Sequence, residues 1–147
     1  MSDKSFVSVP AFDADLISAL ASEGLPVSDL GQPHQVVWQL DCNGQTAGYV
    51  ALETYGDAAL LRSLVVLPEA KGQGHGAALV AYAADQAHAM GIRELWLLTH
   101  TAADFFVHLG WQTRDRSDAP PALAASAEFA SLCPASATCF SRVTAAE

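Results

Sequence analysis

Leu64-Val65-Val66-Leu67-Pro68-Glu69-Ala70-Lys71-Gly72-Gln73-Gly74-His75-Gly76-Ala77-Ala78-Leu79-Val80 joins an apolar run of strand character to a turn with three alternate glycines, then to an alanine-rich helical pattern. Glycines let the backbone approach a ligand closely, and the N–H groups of a helix's first turn have no intrahelical acceptor. Anions, phosphates above all, bind at such a place.

The string Lys71-Gly72-Gln73-Gly74-His75-Gly76, behind a strand ending Val66-Leu67-Pro68-Glu69, resembles the acyl-CoA pyrophosphate loop of the GNAT superfamily of N-acetyltransferases. That family opens the loop with Arg or Gln; Lys71 keeps a charge but gives up the planar fork of Arg. Gly72, Gly74 and Ala77 also satisfy a looser dinucleotide fingerprint, with Glu94 downstream. However, Glu94 begins an apolar run instead of ending one, and too little chain follows to complete a doubly wound sheet.

Outward from the loop, the segments are organised as an α+β chain with a mixed sheet. Ser5–Val9 reads as an edge strand; Asp13 or Asp15 can cap a helix carrying Leu16, Ile17 and Leu20 that stops at Gly24 before Pro26. The stretch to Pro33 is a short second helix or a loop. Runs 36–42 and 45–52 flank Asn43-Gly44, a strong hairpin signal, and a turn at Gly56-Asp57 leads to a third strand over 59–66. An antiparallel meander of this kind is foreign to a dinucleotide-binding domain. The helix from Gly74 to Met90 presents Leu79, Ala83, Ala87 and Met90 on one face and ends at Gly91. Because a helix joins them, the strand Glu94–Thr99 should lie parallel to the one before the loop. A helix over 102–109, a strand over 111–113, an extra helix from Pro120 to about Leu132 and a last strand over 138–143 complete the reading.

The chain has 147 residues, enough for one domain with a core of its own, and no apolar run approaches the roughly 18 residues of a membrane span. The start, Met-Ser-Asp-Lys, lacks a signal peptide's features, so a cytoplasmic protein is expected. A formal charge of −9 with only seven Lys and Arg argues against nucleic acid. The same acidity repels a polyanionic cofactor at long range, so a CoA site has to work through local donors: backbone N–H groups, Lys71 and His75. Cys42, Cys133 and Cys139 are an odd number with no C-x-x-C pair, and the histidines lack H-x-x-x-H spacing, so neither disulfide framework nor metal site is expected.

The GNAT resemblance covers most of residues 5 to 144 and implies a fold in which the two parallel strands splay apart around the pantetheine arm of acetyl-CoA. It implies that Leu64, Val65, Val66, Lys71, Gly72, Gln73, Gly74, His75, Gly76 and Ala77 bind the cofactor, together with Thr99 and Phe106. Phe106 stands where many members carry Tyr, a candidate acid for the departing thiolate; Phe cannot give a proton, and packing is its other role. The tail and Leu61-Arg62-Ser63-Leu64 resemble a subgroup associated with bacterial arsenic-resistance operons and the acetyltransferase part of N-acetylglutamate synthases.

Arg62 interrupts an apolar strand, where a buried guanidinium is expensive unless it meets an anion. In those relatives an Arg at this place binds the acceptor's carboxylate, which implies an amino-acid-like acceptor, with Ser63 and Cys133 beside it. The other reading of Arg62 is an internal ion pair to Glu53 or Asp57. Glu53 and His100, each at a strand end, are the candidate bases for the amine's proton. The expected activity is acetyl transfer from acetyl-CoA to a small-molecule amine by direct attack; a homodimer is compatible with it. The alternatives are attack through Cys133, a non-enzymatic acyl-CoA or arsenite sensor using Cys133 and Cys139, and an interaction module with a vestigial pocket.

Overall fold

The computed structural model describes residues 4–11 and 13–144. One mixed sheet contains β1 (Lys4–Val9), β2 (Gln35–Cys42), β3 (Gln45–Tyr55), β4 (Ala58–Val66), β5 (Glu94–Thr99), β6 (Gln112–Arg114) and β7 (Thr138–Val143), in the spatial order β1-β2-β3-β4-β5-β7-β6. The meander β1 to β4 is antiparallel, β4 and β5 are parallel, and β7 inserts antiparallel between β5 and β6. Helices α1 (Ala14–Ser22), α2 (His75–Ala89), α3 (Ala103–His108) and α4 (Pro121–Ala124) cover the faces. Among the described residues, no helix is long and apolar enough to cross a membrane.

Side chains alternate across the strands, and each face finds its own cover. Ala59 and Leu61 of β4 and Leu95 and Leu97 of β5 pack beneath α2, against Leu79, Val80, Ala83, Ala84 and Ala87. The small residues of α2 let it lie close to the sheet, and Leu79 is fully buried. On the opposite face, Leu16 and Leu20 of α1 pack on Val37, Tyr49, Ala51 and Val65, while Leu123 and Phe129 pack on Ala58, Leu60 and Trp96. That second face therefore has two clusters with a seam between them. Arg62 follows Ala58 and Leu60 by even steps along β4, so its side chain enters this face.

Asp13 caps α1, its carboxylate accepting from the Leu16 N–H at 3.0 Å. Two expectations need correction. Met90 is 51% exposed, because α2 ends one residue earlier and Met90 forms the cap preceding left-handed Gly91. Of the two readings of the stretch to Pro33, the loop holds, built of turns. The extra helix is broken into α4 and a π-helical turn, Glu128–Leu132, after the Ser126 hydroxyl accepts from the Phe129 N–H at 3.4 Å. A widened turn of this type often marks a functional site.

Candidate active site

The parallel strands stay paired only from Ala58–Glu94 to Leu60–Trp96. Beyond that point they part, and a cavity of about 340 Å³ opens between residues 61–66 of β4 and 97–102 around the end of β5. A bulge in β4 helps to turn the strand. Tyr49 pairs with Val65 but Ala51 pairs with Arg62, so Val50 alone faces Ser63 and Leu64. Ser63 takes a left-handed conformation, φ 57°, a local strain of the kind that collects at functional sites. Gly48 permits the close approach of β3 here: a Cβ would lie 2.3 Å from the Val65 carbonyl oxygen.

Just past Lys71, which lines the cavity, Gly72 and Gly74 both have positive φ, 82° and 79°, and Gly74 caps α2 without any side chain. The first helical bond there runs from the Ala78 N–H to the Gly74 carbonyl, 3.2 Å, so the N–H groups of His75, Gly76 and Ala77 have no intrahelical acceptor. Gly76 leaves room for Phe105, whose ring would be 3.2 Å from a Cβ. The His75 imidazole is buried, so the donors this loop presents are backbone N–H groups and the exposed ammonium of Lys71 rather than His75. Lys71 Nζ lies 3.5 Å from Glu23, an exposed pair holding on the order of 0–1 kcal/mol.

Leu64, Val65, Val66 and Lys71 all reach the cavity, as do Thr99 and Phe106, whereas residues 72–77 lie outside its lining. Phe106 is buried edge-on to Trp111, which makes packing its evident role. Thr99 accepts from the Ala102 N–H at 3.0 Å and so fixes the entry to α3.

Arg62 departs most from expectation as a carboxylate receptor. Its side chain is fully buried and already paired: Nη1 and Nη2 form a fork on Asp29, Nη1 lies 3.4 Å from Glu53, and Nη2 also donates to the Pro26 carbonyl. The remaining Nε lies 3.3 Å from Glu128 and 3.2 Å from the Ser63 hydroxyl. The internal pair is thus made with Glu53, not Asp57, and no guanidinium donor is left for a ligand. Burial alone would lower the Arg62 pKa, but Asp29, Glu128 and Glu53 together raise it above its ordinary value. Glu53 is corrected with it: bound by Gln35, Tyr55 and Arg62, it lies outside the cavity lining and has no path to an acceptor. His100 does line the cavity, at its exposed rim.

Asp29 and Glu128 are residues that sequence reasoning missed. Glu128 sits on the π-helical turn, lines the cavity with Ser63 and Cys133, and is 4% exposed. Burial outweighs the pull of Arg62, and with Asp29 and Glu53 nearby its pKa is raised to about 7. The Cys133 thiol donates to Glu128 at 3.8 Å, and burial followed by the Glu128 charge pushes the thiol up to about 11. Arg116 holds this turn in place, donating to the carbonyls of Glu128, Phe129, Cys133 and Pro134. A signal existed in the sequence: Glu128 is the lone charge between Ala119 and Ser141. A charge kept in so apolar a run calls for a partner, by the argument already applied to Arg62.

Comparison with known proteins agrees with this geometry. Residues 33–113, more than half of the chain, match the family model described as an acetyltransferase (GNAT) domain. An amino-acid acetyltransferase of Neisseria meningitidis is 31% identical over 83 residues, 55% of this chain but 19% of that protein, so the chain spans about a fifth of that relative's length. N-acetylglutamate synthase from Neisseria gonorrhoeae, solved with coenzyme A and N-acetyl-glutamate, shares the fold at TM-score 0.74 and 21% identity, over 97% of this chain and 36% of that one. A GNAT-family acetyltransferase from Staphylococcus aureus matches at TM-score 0.71 and 13% identity, over 97% of this chain and 100% of that one. The splayed strands, the bulge beside them and the glycine loop at the start of α2 therefore have a common explanation: the chain belongs to the GNAT acetyltransferase family.

Proposed function

We propose that the protein transfers the acetyl group of acetyl-CoA to the amine of a small acceptor, by direct attack while both are bound. The observation that carries this reading is the order of features from loop to cleft. The N–H groups of residues 75–77 have no intrahelical acceptor and suit a pyrophosphate, and Lys71, just before them in the chain, lines the opening between β4 and β5, which suits a pantetheine arm. The bulge at Ser63 and Leu64 frees β4 backbone from its ladder beside that opening, where a donor can polarise a thioester carbonyl.

The kinship with an amino-acid acetyltransferase is what remains in favour of an amino acid or analogue as acceptor; Arg62, whose donors are occupied, gives no support to an acceptor carboxylate, and the choice between amino acid and simple amine turns on the cavity wall. A role in metalloid resistance rests only on the resemblance of the tail and of Leu61-Arg62-Ser63-Leu64. Arsenite capture by Cys133 and Cys139 is disfavoured, since burial first of all pushes both thiols up to about 11 and neither offers a thiolate at neutral pH. The same property disfavours Cys133 as a nucleophile. The deciding experiment is a thiol-release assay with acetyl-CoA against a panel of amines and amino acids, with products weighed by mass spectrometry. Acceptor-dependent CoA release with a product heavier by one acetyl group is expected; no release with any acceptor overturns the proposal.

A further inference from the structure

An amine entering from neutral water carries a proton that must leave before nitrogen can attack. Of the acids in the cleft, Glu128 alone combines a place on the cavity wall with burial deep enough to make a direct contact matter. Glu23 lines the mouth but is paired with Lys71, while Asp29 and Glu53 lie behind Arg62. We infer that Glu128 receives the acceptor's ammonium group and takes its proton, and that the acceptor therefore bears no carboxylate beside the reacting amine. This rests on the acetyltransferase reading above.

The charge arrangement on every side of Glu128 supports both parts. From β4 comes Arg62; from the turn after α1 comes Asp29, from β3 Glu53, and from the following loop the Cys133 thiol, while Arg116 sits on the backbone carbonyls of the Glu128 turn. Lys71, Glu23 and His100 stand at the mouth and rim. One guanidinium thus faces three carboxylates, and an arriving ammonium offsets that excess. An arriving carboxylate would meet Glu128 with no free donor on Arg62, a like-charge contact in a buried place. Asp29 and Glu128 both fall outside the matched residues 33–113, so the acceptor end is built from segments the family model does not cover.

The step balances without an added reactant. The Glu128 carboxylate takes one proton from R–NH3⁺; the nitrogen lone pair forms the C–N bond to the thioester carbon as the C–S bond breaks. The thiolate of CoA takes the second nitrogen proton, and Glu128 returns its own to water. A carboxyl raised to about 7 by burial is suited to both halves of that cycle at neutral pH.

The test uses acceptor pairs that differ by one carboxylate: tryptamine and tryptophan, phenethylamine and phenylalanine, cadaverine and lysine. The amine of a pair is expected to exceed its amino acid in kcat/KM by about tenfold or more. Glu128→Gln, of the same shape, should lower kcat by roughly 10²–10⁴-fold and remove the rise of activity through about pH 7, while acetyl-CoA binding measured by calorimetry persists. Preference for the amino acid in these pairs overturns the inference but leaves the acetyltransferase reading standing, as does Glu128→Gln with kcat and pH profile unchanged. No turnover of any pair together with no acetyl-CoA binding overturns both.

Discussion

The proposed donor site is made from one stretch of chain, whereas the proposed acceptor end of the cavity is assembled from four. Residues 64–80 run without interruption from strand through loop into α2, and the role proposed for them is argued from backbone geometry. Around Arg62, by contrast, Asp29, Glu53 and Glu128 arrive from a turn, a neighbouring strand and a π-helical turn far along the sequence. A backbone site is legible in local pattern because its ligands are N–H groups that every residue has. A side-chain site depends on which distant residues the fold places together.

If the acceptor end is one coupled unit, removing the cation that its three carboxylates share should do more harm than any change at the loop. Arg62→Leu leaves three carboxylates facing one another in the seam, and a loss of about 3–5 kcal/mol of stability is expected in denaturant melts. A loss below about 1 kcal/mol would mean that the charges are not coupled.

The pH dependence of stability sharpens the same point. A carboxyl whose folded pKa is raised, here from 4.5 to about 7, holds its proton more tightly in the native state. Its contribution to stability is therefore present at low pH and lost as pH rises from about 4.5 to 7, and is flat above that. Relative to Glu128→Gln, the wild type should lose a few kcal/mol across this window, as read from paired melts at pH 5 and pH 8. A constant difference between the two proteins would place Glu128 in water.

The donor end responds differently. Gly74→Ala puts a side chain at φ 79° and should cost about 1–2 kcal/mol of loop strain. Acetyl-CoA KM should rise while acceptor KM stays as it was; a rise in both would tie the ends together. Lys71→Ala should have the smallest effect, at most a few-fold in acetyl-CoA KM. Moderate salt should speed CoA association by screening a chain of net charge −9, and a slower association would count against local donors working alone.

The same contrast explains how much was readable in advance. The hairpin at Asn43-Gly44, the strand Glu94–Thr99, the strand Thr138–Val143 and the parallel pairing across α2 follow from turn chemistry, periodicity and connection rules, and each is present. The alanine-rich stretch from Pro120 to about Leu132 has the pattern of one helix. It breaks because Arg116 gathers the carbonyls at its end and Phe129 must reach Trp96. Arg62 in its apolar strand signals a buried charge that needs an anion, but two of its partners, Asp29 and Glu128, lie far from it in sequence. One of them, Glu128, shows the same peculiarity, a single charge in an apolar run, and matching two such residues was the available clue.

The central claim is that local backbone at the glycine loop binds the donor, and a crystal structure grown with CoA tests it most directly. The expected result places the pyrophosphate on the N–H groups of residues 72–77 and the pantetheine arm between β4 and β5, with its thiol directed toward the cavity that Glu128 lines. CoA seated away from the loop, or a cleft left empty at saturating CoA, would contradict it.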